Sequence, residues 1–172
     1  MLFRSLVQRL YENGHAVTEN IKKTEEALLK NFNVITEEDK KTGFIYVLKS
    51  LSENTKIKSL ENLYKIGFST IPVETRIEKA HEDPTFLMAP VRIITSFECY
   101  NLNPQKMELL LHNFFGSSCL NIDIFDQENK RYTPREWFIA PLPIIEKAVQ
   151  LIISGGIINY RYDADKQEIL LR

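Results

Sequence analysis

Cysteine is scarce in this chain: Cys99 and Cys119 are the only two, and they form no C-x-x-C pair. That usage fits a reduced, cytosolic protein with two free thiols rather than a disulfide-stapled secreted one. Long apolar runs are missing too. Nothing approaches the roughly 20 residues a membrane-spanning helix needs, so no membrane role is expected. The N-terminal stretch Met1–Arg9 interrupts its apolar residues with Arg4 and Arg9, which argues against a secretory signal. An excess of charge is absent as well: 22 basic and 23 acidic residues leave a net charge of −1 with no basic block. Non-specific affinity for nucleic acid comes mostly from Lys and Arg neutralising phosphates, so any nucleic-acid contact must use a local patch or a partner. There is no glycine-rich dinucleotide loop, phosphate loop or cysteine–histidine motif, which leaves a small-molecule enzyme with little support.

What is present is an ordinary globular composition, 44% hydrophobic and 26% charged, in a chain long enough to bury a core. Residues 1–35 read as a helical hairpin. Leu2, Leu6 and Leu10 lie on one side of its first helix, Gly14 sits at a cap, and Thr18 opens a second helix carrying Ile21, Leu28 and Phe32. The hairpin serves either packing or homodimerisation, or contact with DNA or a partner protein. Residues 36–42 are polar, without periodicity, and read as a linker. From Gly43 the pattern changes to strand. Phe44–Leu48 and Leu63–Phe68 are two runs rich in β-formers. Pro72 suits the first turn of a helix with Val73, Ile77 and Ala80 inward. After Pro90 a third strand is expected, with Val91, Ile93, Thr95, Phe97 and Cys99 on one face. Asn103-Pro104 starts a helix whose broad apolar face holds Met107, Leu110, Leu111, Phe114 and Phe115. Residues 119–134 read as a loop. Arg135–Ile139 is a short aromatic segment in which Trp137 and Phe138 are expected in the core. A last helix spans 141–154, and a hairpin around 163–166 closes the chain.

The order strand, strand, helix, strand, helix is an α+β arrangement. Five short features lie on it in sequence: Gly43–Leu48 with Tyr46, then Lys65-Ile66-Gly67, Arg76, Glu108 and Glu136-Trp137-Phe138. Over residues 43–141 this resembles the GIY-YIG nuclease superfamily, in particular its phage-type members. The resemblance implies a small three-stranded antiparallel sheet flanked by helices, within a nuclease domain spanning 43–172. It also implies a metal-dependent endonuclease that hydrolyses DNA phosphodiester bonds with one Mg²⁺ or Mn²⁺ ion. Tyr46 would be the general base for the attacking water or its hydrogen-bond partner. Arg76 would clamp the phosphate, and Glu108 would hold the metal. Lys65 stands where most members have a second tyrosine. Strand alternation separates Lys65 from Tyr64; the alignment with the family motif implies Lys65 in the site, as a point charge on phosphate, and Tyr64 in the core. Gly67 would let the backbone approach the substrate. His81 and His112 are further candidate phosphate or DNA contacts. His112, one helical turn from Glu108, would more readily hydrogen-bond and orient that carboxylate. Lys65 in place of tyrosine, together with the even charge, also allows a module of the same fold that binds nucleic acid or protein with little or no catalysis.

Overall fold

The computed structural model describes residues 40–172. The expected N-terminal hairpin, and with it any dimer contact through its helices, lies outside the described residues.

The central sheet has four antiparallel strands rather than three. They are β1 (Lys41–Ser50), β2 (Leu63–Ser69), β3 (Val91–Tyr100) and β6 (Trp137–Ile139), in the order β3-β1-β2-β6. The aromatic segment Trp137–Ile139 supplies the added edge, pairing Lys65 with Trp137 and Tyr64 with Phe138. The strand β1 begins at Lys41, two residues before Gly43. Thr42 donates its hydroxyl to the Cys99 carbonyl at 3.0 Å, and Lys41 forms an ion pair with Glu98.

The third strand does not keep one face. Val47 pairs with Thr95 but Leu48 pairs with Ile93, so Ile94 is an extra residue in a β-bulge. The bulge reverses the alternation. Phe97 and Cys99 lie on one side of the sheet, whereas Val91 and Ile93 lie on the other.

Helices cover one side. The helices α3 (Pro104–Phe115) and α4 (Leu142–Ile153) pack Met107, Leu111, Phe114, Phe115, Ile145 and Val149 onto Ile45, Val47, Tyr64 and Ile66. Asn103 caps α3 by accepting from Lys106 N at 3.0 Å, and Pro104 occupies its first turn. Phe115 stacks on Phe138 with centroids 4.6 Å apart. Burying one such side chain stabilises the fold by about 1.5–3 kcal/mol. The closing hairpin, β7 (Tyr160–Asp163) with β8 (Glu168–Leu171), forms around residues 163–166. Tyr162 meets Phe115 edge-on, and Arg172 donates to the Asn113 carbonyl at 2.7 Å.

The opposite side of the sheet is covered by irregular chain. The short helix α2 (Val73–Ile77) is followed by two 3₁₀ turns, Ala80–Glu82 and Pro84–Phe86. These bring Val73, Ala80 and Phe86 onto Tyr46 and Leu48. Farther along the same side, Leu63, Leu87, Leu120 and Trp137 pack with Ile57 of α1 (Thr55–Lys58). Residues 119–134 are not wholly loop: β4 (Ile124–Phe125) and β5 (Arg131–Tyr132) form a small hairpin.

Candidate functional site

Strand alternation builds the site. On β1, Ile45 and Val47 enter the helical core while Tyr46 and Leu48 face the irregular chain. On β2, Tyr64 and Ile66 enter the core, so Lys65 and Gly67 share the Tyr46 side. Tyr46 pairs directly with Gly67. The missing side chain makes room for the tyrosine ring, since a Cβ at Gly67 would stand 2.4 Å from Tyr46 Cζ and Oη.

Lys65 is 1% exposed. Its ammonium forms a close ion pair with Glu136, donates to the Thr85 carbonyl at 3.2 Å, and lies 4.9 Å from the centre of the Phe86 ring. Burial lowers the Lys65 pKa below its ordinary value, and Glu136 opposes that shift. The lysine is thus spent inside the protein rather than offered to solvent. The Thr85 carbonyl also accepts from Trp137 Nε1 at 3.0 Å, so one oxygen ties β2, β6 and the covering loop together.

Arg76, in the last turn of α2, also lies over Phe86, with its Cζ 4.8 Å from the ring centre. It is held by Asp83, whose Oδ2 accepts from Nη1 at 3.3 Å and Nη2 at 3.4 Å. Its side chain remains 37% exposed. The guanidinium is also near enough to Tyr46 for its charge to act on the phenol. Burial and the Glu136 charge push the Tyr46 phenol well above its ordinary pKa, and Arg76 only partly offsets this. At neutral pH Tyr46 is therefore an un-ionised phenol that donates or accepts a hydrogen bond. Burial raises the pKa of Asp83, but the Thr85 hydroxyl and backbone together with Arg76 overcome this and hold it below the ordinary value.

The backbone that presents these groups is constrained. Leu87 and Met88, both non-glycine, follow Phe86 with φ of 62° and 52°. Left-handed conformations of this kind persist where surrounding contacts over-determine them. Here those contacts include the buried side chains of Phe86 and Leu87.

Glu108 stands apart. Its helix packs on the opposite side of the sheet, and the carboxylate is 51% exposed. The nearest partner is His112 Nε2 at 3.9 Å. That nitrogen is buried and has no hydrogen-bond partner among the described residues. Burial and Arg135 lower the His112 pKa, while Glu108 and Glu136 raise it less, so the ring is neutral at neutral pH. A cleft of about 560 Å³ opens beside it, lined by His112, Gly116, Cys119, Thr133 and Arg135 among others. Burial raises the Cys119 thiol pKa, so the thiol stays protonated. No hydrogen bond or ion pair among the described residues joins Glu108 to Tyr46, Lys65 or Arg76. Glu136 is the group the two sets share, because its charge acts on Tyr46, Lys65 and His112. His81 joins neither set. It is exposed and faces Glu82 at 3.2 Å. Among the described residues, no three or more of His, Cys, Asp and Glu are grouped to hold a metal.

Sequence reasoning missed Asp83, Thr85 and Phe86, and it counted Glu136 within the Glu136-Trp137-Phe138 element without giving its carboxylate a role. One signal was available: a lysine facing the covered side of a strand requires a carboxylate partner.

A family model, the T5orf172 domain, matches residues 43–153. The chain belongs to the T5orf172 domain family. This family is associated with endonuclease-like and DNA-binding function. The match overturns the resemblance to the GIY-YIG superfamily drawn from the short motifs, each of only a few residues, whereas the family model runs continuously over residues 43–153. The chain is also similar to the uncharacterized protein YeeC of Bacillus subtilis (strain 168), 42% identical over 153 residues. The matched region covers 89% of this chain and 38% of that relative, so the T5orf172 chain spans well under half of the longer protein. No solved structure matches. Among the described residues, no helix is long and apolar enough to cross a membrane.

Proposed function

We propose that this T5orf172 domain is a DNA-binding, nuclease-like module that takes a phosphodiester against Arg76 and Tyr46. The observation that carries this reading is the Arg76 side chain, which is 37% exposed. It is oriented by the Phe86 ring and adjoins a neutral phenol on the one sheet side not sealed by helices. A guanidinium in that setting binds a phosphate and stabilises charge developing on it. Tyr46 orients a water or a phosphate oxygen by hydrogen bonding. Its raised pKa does not suit it to remove a proton by itself. Lys65 acts from within, as a positioning cation that fixes Glu136 and the Thr85 carbonyl.

For hydrolysis, a divalent cation such as Mg²⁺ or Mn²⁺ supplies Lewis-acid stabilisation of phosphate charge when bound. Glu108 is the carboxylate that would hold it. The buried Nε2 of His112, without a partner among the described residues, lies 3.9 Å from that carboxylate; as a nitrogen donor it would suit Mn²⁺, whereas Mg²⁺ would rest on the carboxylate and water.

A second reading is supported by the separation of Glu108 from the Arg76 cluster: a module that binds DNA with little or no cleavage. Supercoiled plasmid incubated with Mg²⁺, Mn²⁺ or EDTA separates the two. Metal-dependent nicking that disappears in Glu108→Ala is the expected result for the nuclease. DNA binding without nicking under any condition would leave the binding module. Retained cutting in Glu108→Ala would remove that residue from the chemistry.

A further inference from the structure

We infer that Asp83 is an internal stand-in for phosphate, its Oδ2 holding Arg76 in place until a phosphodiester oxygen displaces it. The inference rests on the proposed DNA contact at Arg76. The two oxygens of Asp83 have different tasks. Oδ1 accepts from Thr85 N at 2.8 Å and from Thr85 Oγ1 at 2.7 Å, which caps the 3₁₀ turn Pro84–Phe86. Among the described residues, Oδ2 accepts only the two long contacts from Arg76, at 3.3 and 3.4 Å. Both guanidinium nitrogens thus converge on one oxygen. This leaves unmade the parallel two-bond pairing that arginine forms best with a carboxylate or phosphate.

Both partners are also within reach of solvent, at 37% and 29% side-chain exposure. An exposed pair of this geometry is weak, and a phosphodiester offers two non-bridging oxygens to the same fork. The Phe86 ring keeps the guanidinium plane fixed during the exchange. The Oδ1 cap keeps the turn folded after Oδ2 has let go. Asp83 is therefore a positioning residue that sets the affinity of the arginine for its ligand.

The test is fluorescence anisotropy of a short labelled DNA duplex against the full chain in EDTA, over a series of salt concentrations. Asp83→Asn keeps an Oδ1 acceptor for the cap while removing the negative charge that faces Arg76. Asp83→Ser removes the carboxylate and keeps a hydroxyl acceptor, as a second variant should the first fold poorly. Either substitution should tighten binding about two- to five-fold at low salt, with the gain shrinking as salt rises. The gain should vanish when Arg76→Ala is added, an outcome that a merely structural role for Asp83 does not produce. Unchanged or weaker binding in both folded variants, with Arg76→Ala itself weakening binding, would overturn the role of Asp83 and leave the DNA contact standing. Unchanged binding in Arg76→Ala would overturn both.

Discussion

The two sides of the central sheet are made from the same strands, often from adjacent residues, yet they differ in kind. The helical side is apolar: Ile45, Val47, Tyr64 and Ile66 meet Phe114, Phe115 and Ile145 without a charged group among them. The other side places Tyr46, Lys65, Arg76, Asp83 and Glu136 around Phe86. A period of two along β1 and β2 thus divides one short sequence into a packing surface and a polar cluster. The helical side can be regular because it needs only area. The cluster requires an arginine, two carboxylates and an aromatic ring at fixed positions. The chain meets that requirement with short turns and two non-glycine residues at positive φ.

Substitutions should separate the two sides. The largest effect is expected in the helical core. Phe115→Ala removes a fully buried ring stacked on Phe138 and should cost about 3–5 kcal/mol in denaturant unfolding. On the cluster side, Glu136→Ala should cost about 3 kcal/mol by leaving the buried Lys65 ammonium uncompensated. Adding Lys65→Met should recover most of that loss, because an apolar side chain of similar length needs no counter-charge. If the double variant were no more stable than Glu136→Ala alone, the lysine would not be the source of the cost. Gly67→Ala drives a methyl group into the Tyr46 ring and should cost about 1–3 kcal/mol. Pairing it with Tyr46→Leu should soften the penalty.

The smallest effect concerns pH. Tyr46 has a raised pKa in the folded protein, so above its ordinary value of 10.0 the unfolded chain has lost a proton that the folded chain keeps. The unfolded state then binds fewer protons, and stability falls as pH rises through that range. Tyr46→Phe should flatten this alkaline decline in thermal melts. An unchanged slope would mean that the phenol is not held neutral by its surroundings.

Much of this division was legible in the sequence. Alternation separated Tyr64 from Lys65, the alignment of Lys65-Ile66-Gly67 put Lys65 beside Tyr46 and Tyr64 in the core, and Asn103-Pro104 marked the start of α3. The fourth strand was not legible, because Trp137–Ile139 is too short to show a period. The face reversal in β3 was hidden for a related reason. A bulge at Ile94 adds one residue without a change in composition, so Val91 through Cys99 still reads as one alternating run. Asp83, Thr85 and Phe86 escaped notice because 3₁₀ turns carry no extended pattern. Apart from the local Asp83 cap on Thr85, their roles depend on partners on other elements, Arg76 on α2, Lys65 on β2 and Trp137 on β6. Glu108 and His112 were correctly read as neighbours on one helix face, but helical spacing could not show that their helix covers the side of the sheet away from Tyr46.

The central claim is that Arg76 marks the side of the sheet that meets DNA. Its most direct test is anisotropy of a labelled duplex with wild type and Arg76→Ala, alongside their melting temperatures. Weaker binding with a melting temperature close to wild type, and a shallower dependence on salt, is the predicted result. Equal affinity and equal salt dependence in the two proteins would contradict it.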